Sequence, residues 1–344
     1  MTFMDVLNTD WMGKPLGLWL GFIGLIVFLL LLDLGLLNRK DREIGFRESL
    51  IQSGLYITIS IAFGIWVWHR FGPMRGEQFF TGYLIEKTLS LDNVFVMSLI
   101  FGYVGVPRRL QHRVLFWGIL GALILRGIMI AGGAALIHEF EWLLYVFGGF
   151  LIVTGLRMIL SGGGAPDVAK NPLLGLLQRL FHFTPELQGH HFFIKHPHPR
   201  TGTLVNFATP LFLALVLVEG SDVIFAVDSV PAIFLVTNDP YIIYTSNIFA
   251  VLGLRALYFA MAAIVHRFHY LKYAISLILI FIGGKIFAVK LLGLHHIPSA
   301  VSLGVTIALL LGGILYSLWR TRRFARNWET VQHGGRIYIV RQRN

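Results

Sequence analysis

Residues 217–234 read LVEGSDVIFAVDSVPAIF. Most of these side chains are apolar, yet Glu219, Asp222 and Asp228 set three carboxyl groups into the run. A bare carboxylate is not tolerated in hydrocarbon, so each acid must be paired, protonated or bound to a cation. What neutralises them decides both the fold and the function.

Around that stretch the chain has the composition of a bilayer protein. Of 344 residues, 56% are hydrophobic and only 14% charged, with a mean hydropathy of +0.70; a soluble domain carries about 25% charge. Apolar runs of about 20 residues fall near 17–37, 50–68, 80–103, 114–136, 140–160, 205–236, 244–265, 273–292 and 299–319. The fold expected is therefore an all-α polytopic membrane protein with nine transmembrane helices. The first run is too long for a signal-peptide core and is followed by the basic LLNRKDR, so it reads as a retained span.

With the N-terminus outside, the loops expected inside carry 20 Lys and Arg residues against three outside (Lys14, Arg70 and Arg75). That alternation predicts an outside N-terminus and an inside C-terminus. It also accounts for the net charge of +11 without a nucleic-acid partner. No cysteine is present, which excludes disulfides and thiolate metal sites.

The acidic stretch has an echo upstream. Glu86-Lys-Thr-Leu-Ser-Leu-Asp92-Asn93-Val94 aligns with Asp222-Val-Ile-Phe-Ala-Val-Asp228-Ser229-Val230. LILRGI around Arg126 then resembles LGLRAL around Arg255, and Gly148-Gly149 resembles Gly283-Gly284. The distance from Asp to the Gly pair is 56 residues in one copy and 55 in the other. Each copy holds three spans, an odd number, so the second enters the membrane from the opposite side. An inverted repeat of three helices each is the architecture of many secondary transporters, with the site near the midplane at the repeat interface. One integral membrane domain is expected over 1–344, with repeats at 80–160 and 205–292, a cytoplasmic loop at 161–204 and a cytoplasmic tail at 320–344.

Inverted symmetry sets Glu86 level with Asp228 and Asp92 level with Asp222, each pair about 4–5 Å from the midplane, with Glu219 one turn further in. Residues six apart diverge by about 120° on a helix, so helix breaks are expected at Asp92-Asn93 and Asp228-Ser229, where Asp, Asn and Ser make good caps. The bland reading pairs these acids with Arg126, Arg255, Lys87 and Lys285. Six intramembrane acids (Asp33 included) against four bases leave two negative charges, to be met by protons or a divalent cation. The metal ligands expected are Glu86, Asp92, Asn93, Glu219, Asp222, Asp228 and Ser229. Arg126 and Arg255 are expected to anchor acids within their own repeats. An all-oxygen set suits hard cations such as Mg²⁺, Ca²⁺ and Mn²⁺, with Met97 as one softer contact.

At EKTLSLDNVFV and TPLFLALVLVEGSDVIFAVDSVPAIF the chain resembles the TerC family of integral membrane proteins, over about 15–320. Within it the likeness is to the alkaline-induced bacterial branch called Alx. The resemblance implies export of Mn²⁺ as substrate across the bacterial inner membrane, with tellurium resistance as the family's older label. The acids the family would use match at Glu86, Asp92, Glu219, Asp222 and Asp228.

Two other functions compete with a proton-exchanging transporter: an accessory protein that metalates exported or membrane enzymes, and a tellurium-resistance factor with no transport of its own. An enzyme is not expected, since no nucleophile-and-base arrangement lies in a span. Partners are expected to be a divalent ion, membrane lipids, and a second copy or a membrane protein. No organic cofactor is implied. Within 161–204, NPLLGLLQRLFHF has the spacing of a short interfacial helix. The following GHHFFIKHPHPRTG, with His190, His191, His196 and His198, reads as irregular.

Overall fold

The structure is a computed structural model that describes residues 5, 7–32, 45–160, 172–184, 187, 189–197, 204–261, 271–292, 297–326, 328–333 and 336–341. Asp33 and His198 lie outside the described residues, as do the side chains of Asp92 and His196.

Eleven named helices dominate the described chain: α1 (Leu16–Leu32), α2 (Phe46–Phe71), α3 (Pro73–Val104), α4 (Arg108–Glu139), α5 (Leu143–Leu160), α6 (Pro172–Leu180), α7 (Pro210–Phe234), α8 (Pro240–Leu252), α9 (Leu254–Met261), α10 (Leu271–Leu291) and α11 (Ser299–Arg326). Three two-stranded antiparallel hairpins accompany them: β1 (Asp10–Trp11) with β2 (Lys14–Pro15), β3 (Phe193–Pro197) with β4 (Leu204–Ala208), and β5 (Trp328–His333) with β6 (Arg336–Arg341).

Seven helical segments among the described residues are long and apolar enough to cross a membrane: α2, α4, α5, α7, α8 with α9 together, α10 and α11. Two further runs expected to span are helical as well. α1 is a shorter apolar helix of 17 residues. α3 has 32, but Glu86, Lys87 and Asp92 interrupt its apolar sequence. Large apolar side chains such as Phe28, Leu31, Ile51, Ile128, Val153 and Leu315 stand exposed on the outer helices. Such a surface is a liability in water and a natural one against acyl chains.

Local chemistry sets the joints. Gly72 has φ of +92°, which only glycine adopts without strain, and Pro73 then opens α3 at its first position. Asp239 caps α8 by accepting from the Tyr241 N–H at 3.2 Å, and Pro240 follows it. The other carboxylate oxygen of Asp239 holds Lys14 Nζ at 2.9 Å and Arg75 Nε at 3.1 Å. Two of the three bases expected outside therefore share one acid, which clasps the β1–β2 hairpin to the start of α8.

The core is assembled by four helices. α3 packs on α7 and α8, while α7 packs on α3 and α4. α5 and α10 lie against one another, with Gly148 and Gly283 at their contact. A Cβ on Gly148 would stand 3.0 Å from the Gly283 carbonyl oxygen, the close backbone approach that small residues permit between membrane helices.

Three expectations need correction. α3 and α7 run unbroken through Asp92-Asn93 and Asp228-Ser229. Pro231 lies inside the last turn of α7, where few backbone bonds remain to be lost. The sixth span begins at Pro210 and not at 205, since 205–208 belong to strand β4. The stretch expected to be irregular contains β3, paired with β4 in the register Phe193↔Ala208 to Pro197↔Leu204. Its aromatic and branched residues favour a strand, and Phe193 and Phe181 both pack on Phe212 at the base of α7. The short helix expected before it is α6, with Leu174 and Leu177 buried.

Candidate functional site

The site is built where α3, α4, α7 and α8 meet. Glu86 and Asn93 lie seven residues apart on α3, as do Asp222 and Ser229 on α7. Seven residues bring a helix back to within about 20° of its starting direction, so each pair shares one face of an unbroken helix. These two faces meet. The Asn93 amide donates to Asp222 Oδ1 at 3.1 Å, and the Ser229 hydroxyl lies beside the Glu86 carboxylate. The echo in sequence thus becomes a crossed pairing, each acid beside the polar residue of the other helix.

Arg126 of α4 enters between them and is fully buried. Its Nη1 donates to Glu86 Oε1, its Nη2 to Asp222 Oδ1 at 3.1 Å and its Nε to Asp222 Oδ2 at 3.3 Å. Asn247 of α8 closes the ring, accepting from Arg126 Nη1 at 2.9 Å and donating to Glu86 Oε2 at 3.2 Å. Arg126 was expected to anchor an acid of its own repeat; it holds one from each. Asn247 was not anticipated. Its signal was available, as an amide in the apolar run IIYTSNIFAVL, where a polar side chain needs a partner.

One guanidinium against two carboxylates leaves the cluster short of positive charge. Neither Lys87 nor Lys285 forms an ion pair with Glu86 or Asp222 among the described residues. Lys87 donates to the Ala250 carbonyl at 3.2 Å, at the end of α8 beside the break at Gly253. Lys285 lines a separate cleft. Arg255 and Met97 line a void of about 10 Å³ next to Asp222, room for about one water.

Glu219 sits one turn before Asp222 on the same side of α7, its carboxylate against Gly121 of α4. Among the described residues its buried Oε2 has no hydrogen-bond partner, and neither has Asn93 Oδ1. Two orphaned acceptors therefore flank Asp222. Asp228 turns away from them and lines a cavity of about 280 Å³ with Thr154, Arg157 and Phe225, between α3, α5, α7 and α10. His190 and His191 are exposed, with ring centroids 4.7 Å apart.

Among the described residues no three His, Cys, Asp or Glu side chains stand together as a metal site. The expected ligands are thus divided. Glu86, Asn93, Asp222 and Ser229 converge, Glu219 lies a turn away, and Asp228 faces another cavity. The donor chemistry nonetheless fits a hard cation. Buried oxygens with no donor, beside a carboxylate, are what Mn²⁺, Mg²⁺ or Ca²⁺ would satisfy.

The Integral membrane protein TerC family model matches residues 71–325, which contain every residue of this cluster. The chain belongs to the TerC family. Similar TerC relatives include an uncharacterised membrane protein of Myxococcus xanthus, 47% identical over 310 residues that cover 90% of this chain and 94% of the relative. Membrane proteins named Alx are 44% identical in Salmonella typhi and 43% in Escherichia coli (strain K12), each over 316 residues covering 89% of this chain and 95% of the relative. No solved structure matches.

In this TerC chain the contact between Glu219 and Gly121 offers a direct test. A Cβ at Gly121 would collide with the Glu219 carboxylate. The carboxylate ends a flexible side chain, so it can move aside at little cost to the fold. Gly121→Ala should therefore leave thermal stability within a few degrees of wild type, and if the cluster holds a hard divalent cation, its affinity measured by calorimetry should weaken about tenfold or more, one charged oxygen contact being worth at least ~1.4 kcal/mol. Unchanged binding would remove Glu219 from the site.

Proposed function

We propose that the chain is a secondary transporter that exports Mn²⁺ from the bacterial cytosol across the inner membrane in exchange for protons. Nine spans make up the fold on this reading, with α3–α5 and α7–α10 as inverted repeats, the N-terminus periplasmic and the C-terminus cytoplasmic. The reciprocal packing of α3 on α8 and of α7 on α4 supports that symmetry, as does the crossed pairing of Asn93 with Asp222 and Ser229 with Glu86.

One observation carries the functional reading: two buried carboxylates share one arginine, and orphaned oxygens of Asn93 and Glu219 lie beside them. The cluster can accept positive charge, and its acceptors are oxygens. Glu219, Asn93 and Asp222 form the cation's cytoplasmic approach, and Arg126 holds the acids together when the cation is absent. Release leads outward past the apolar contacts of Ile130, Val230, Phe234 and Ile243. Beyond them lies a cavity of about 930 Å³, lined in part by Phe234, His138 and Glu141. The choice of Mn²⁺ over other hard divalent ions rests on family likeness.

The Alx relatives carry the description of a proposed membrane-bound redox modulator. Thiol chemistry has no residue to act through in this chain. Transport of a metal ion needs none.

Purified protein in sealed proteoliposomes tests the reading. Mn²⁺ movement should accelerate when an opposing pH gradient is imposed, and calorimetric heats of Mn²⁺ binding should vary with the ionisation enthalpy of the buffer, because carboxyl ligands must shed protons to bind. Mn²⁺ binding without flux would assign the chain to the accessory, metal-delivering class. Flux with heats independent of buffer would exclude proton exchange.

A further inference from the structure

Lys285 lies in α10 six residues before its end, at a depth where an unpaired ammonium is costly. Among the described residues no carboxylate pairs with it. It lines a cleft of about 390 Å³ formed by α3, the chain after α7, α10 and the start of α11. Among the described residues the other polar ones lining it are Gln78, Thr81, Ser299 and Ser302, with no Asp or Glu. The walls between them, Met74 and Val289 included, are apolar.

Lys285, Gln78 and Ser302 can donate, whereas the Thr81 hydroxyl already donates to the Glu77 carbonyl at 2.7 Å. Ser302 is 3% exposed, and its buried Oγ has no hydrogen-bond partner among the described residues. Helical serines and threonines commonly satisfy themselves on the carbonyl four residues back, as Thr306 does on Ser302 at 2.8 Å; Ser302 does not. Gln78 Oε1 is occupied by the Thr237 hydroxyl at 2.9 Å, which leaves its amide N–H groups as the free end. Ser299 also opens α11, whose N-terminus favours an anion, although the N–H groups of Val301 and Ser302 already bond to the Pro298 carbonyl at 3.0 and 3.2 Å. An ammonium, a buried hydroxyl, an amide and a helix N-terminus around an acid-free cleft describe a receptor for an oxyanion. The apolar walls suit the glycerol and upper acyl segments of a lipid.

We propose that this cleft binds a phosphate-bearing anion, presented in the membrane by the headgroup of an acidic phospholipid. The site is independent of the metal reading, since it shares none of the residues of the acidic cluster.

Native mass spectrometry of the full-length protein, titrated with phosphatidylglycerol and with phosphatidylcholine, tests it. Wild type should hold one phosphatidylglycerol about five- to tenfold more tightly, the attraction that one lysine near a membrane surface supplies. Lys285→Gln should lose that preference, Lys285→Arg should keep it, and Ser302→Ala should weaken it severalfold. Gel filtration checks that each variant is folded. An equal preference in wild type and folded Lys285→Gln, or its absence from wild type, would overturn the proposal. Inorganic phosphate at millimolar concentration separates the sources. Displacement of the lipid, with phosphate binding lost in Lys285→Gln, assigns the site to free phosphate, and a lipid that stays bound assigns it to the headgroup.

Discussion

On the transporter reading, Asp222→Asn should give a folded protein that does not move Mn²⁺. The substitution removes one charge from a cluster in which Arg126 still pairs with Glu86. An amide in the same place keeps one oxygen to accept from Arg126 Nη2 and from Asn93, and only the longer contact from Arg126 Nε loses its acceptor. The cluster becomes electrically balanced, however, and its reason for attracting a cation is gone. Mn²⁺ affinity should fall by about 100-fold or more, since removing one partner from a buried charge contact costs ~3–5 kcal/mol. Calorimetry and proteoliposome flux read the loss, and a thermal melt close to wild type shows that the fold survives. Wild-type flux from a well-folded Asp222→Asn protein would exclude this acid from the path.

Arg126→Met should have the opposite profile. It leaves Glu86 and Asp222 facing one another in a buried site with no cation, and costs ~3–5 kcal/mol of stability, seen as loss of expression and of a cooperative melt. The damage is electrostatic, so it should be repaired by removing the charges it exposes. A triple variant carrying Arg126→Met, Glu86→Gln and Asp222→Asn should fold nearly as well as wild type, because replacing a whole buried charged cluster by neutral groups is often nearly neutral. It should still fail to transport. Instability that persists in the triple variant would mean that the guanidinium matters chiefly by its packing.

The two profiles separate what the sequence made legible from what it did not. The helical class was readable because apolar runs leave little else to do in a bilayer. The acids of the cluster were readable because carboxyls in such runs demand an explanation. The step that failed was to require helix breaks at Asp92-Asn93 and Asp228-Ser229 so that acids six residues apart could reach one site. The folded chain uses residues seven apart, Glu86 with Asn93 and Asp222 with Ser229, which a regular helix already brings to one face. Asp228 is thereby turned toward another cavity. Asn247 was hidden by a different cause: no echo in the first repeat marks it, and its role depends on where α8 packs. The β3–β4 hairpin was masked by the histidines and prolines around it, although FFI and LVNF carry an ordinary strand composition.

The placement of Lys87 beside Glu86 has a mechanical consequence. The two are neighbours on α3, so their side chains point about 100° apart on one rigid rod. Glu86 grips the guanidinium, while Lys87 grips the carbonyl of Ala250 where the span of α8 and α9 is cut at Gly253. Any turn of α3 about its axis that frees Glu86 must also pull Lys87 from that carbonyl. α3 is thus a shaft with a handle at the charged centre and a latch at the joint of its neighbour, and the latch cannot stay shut while the handle turns.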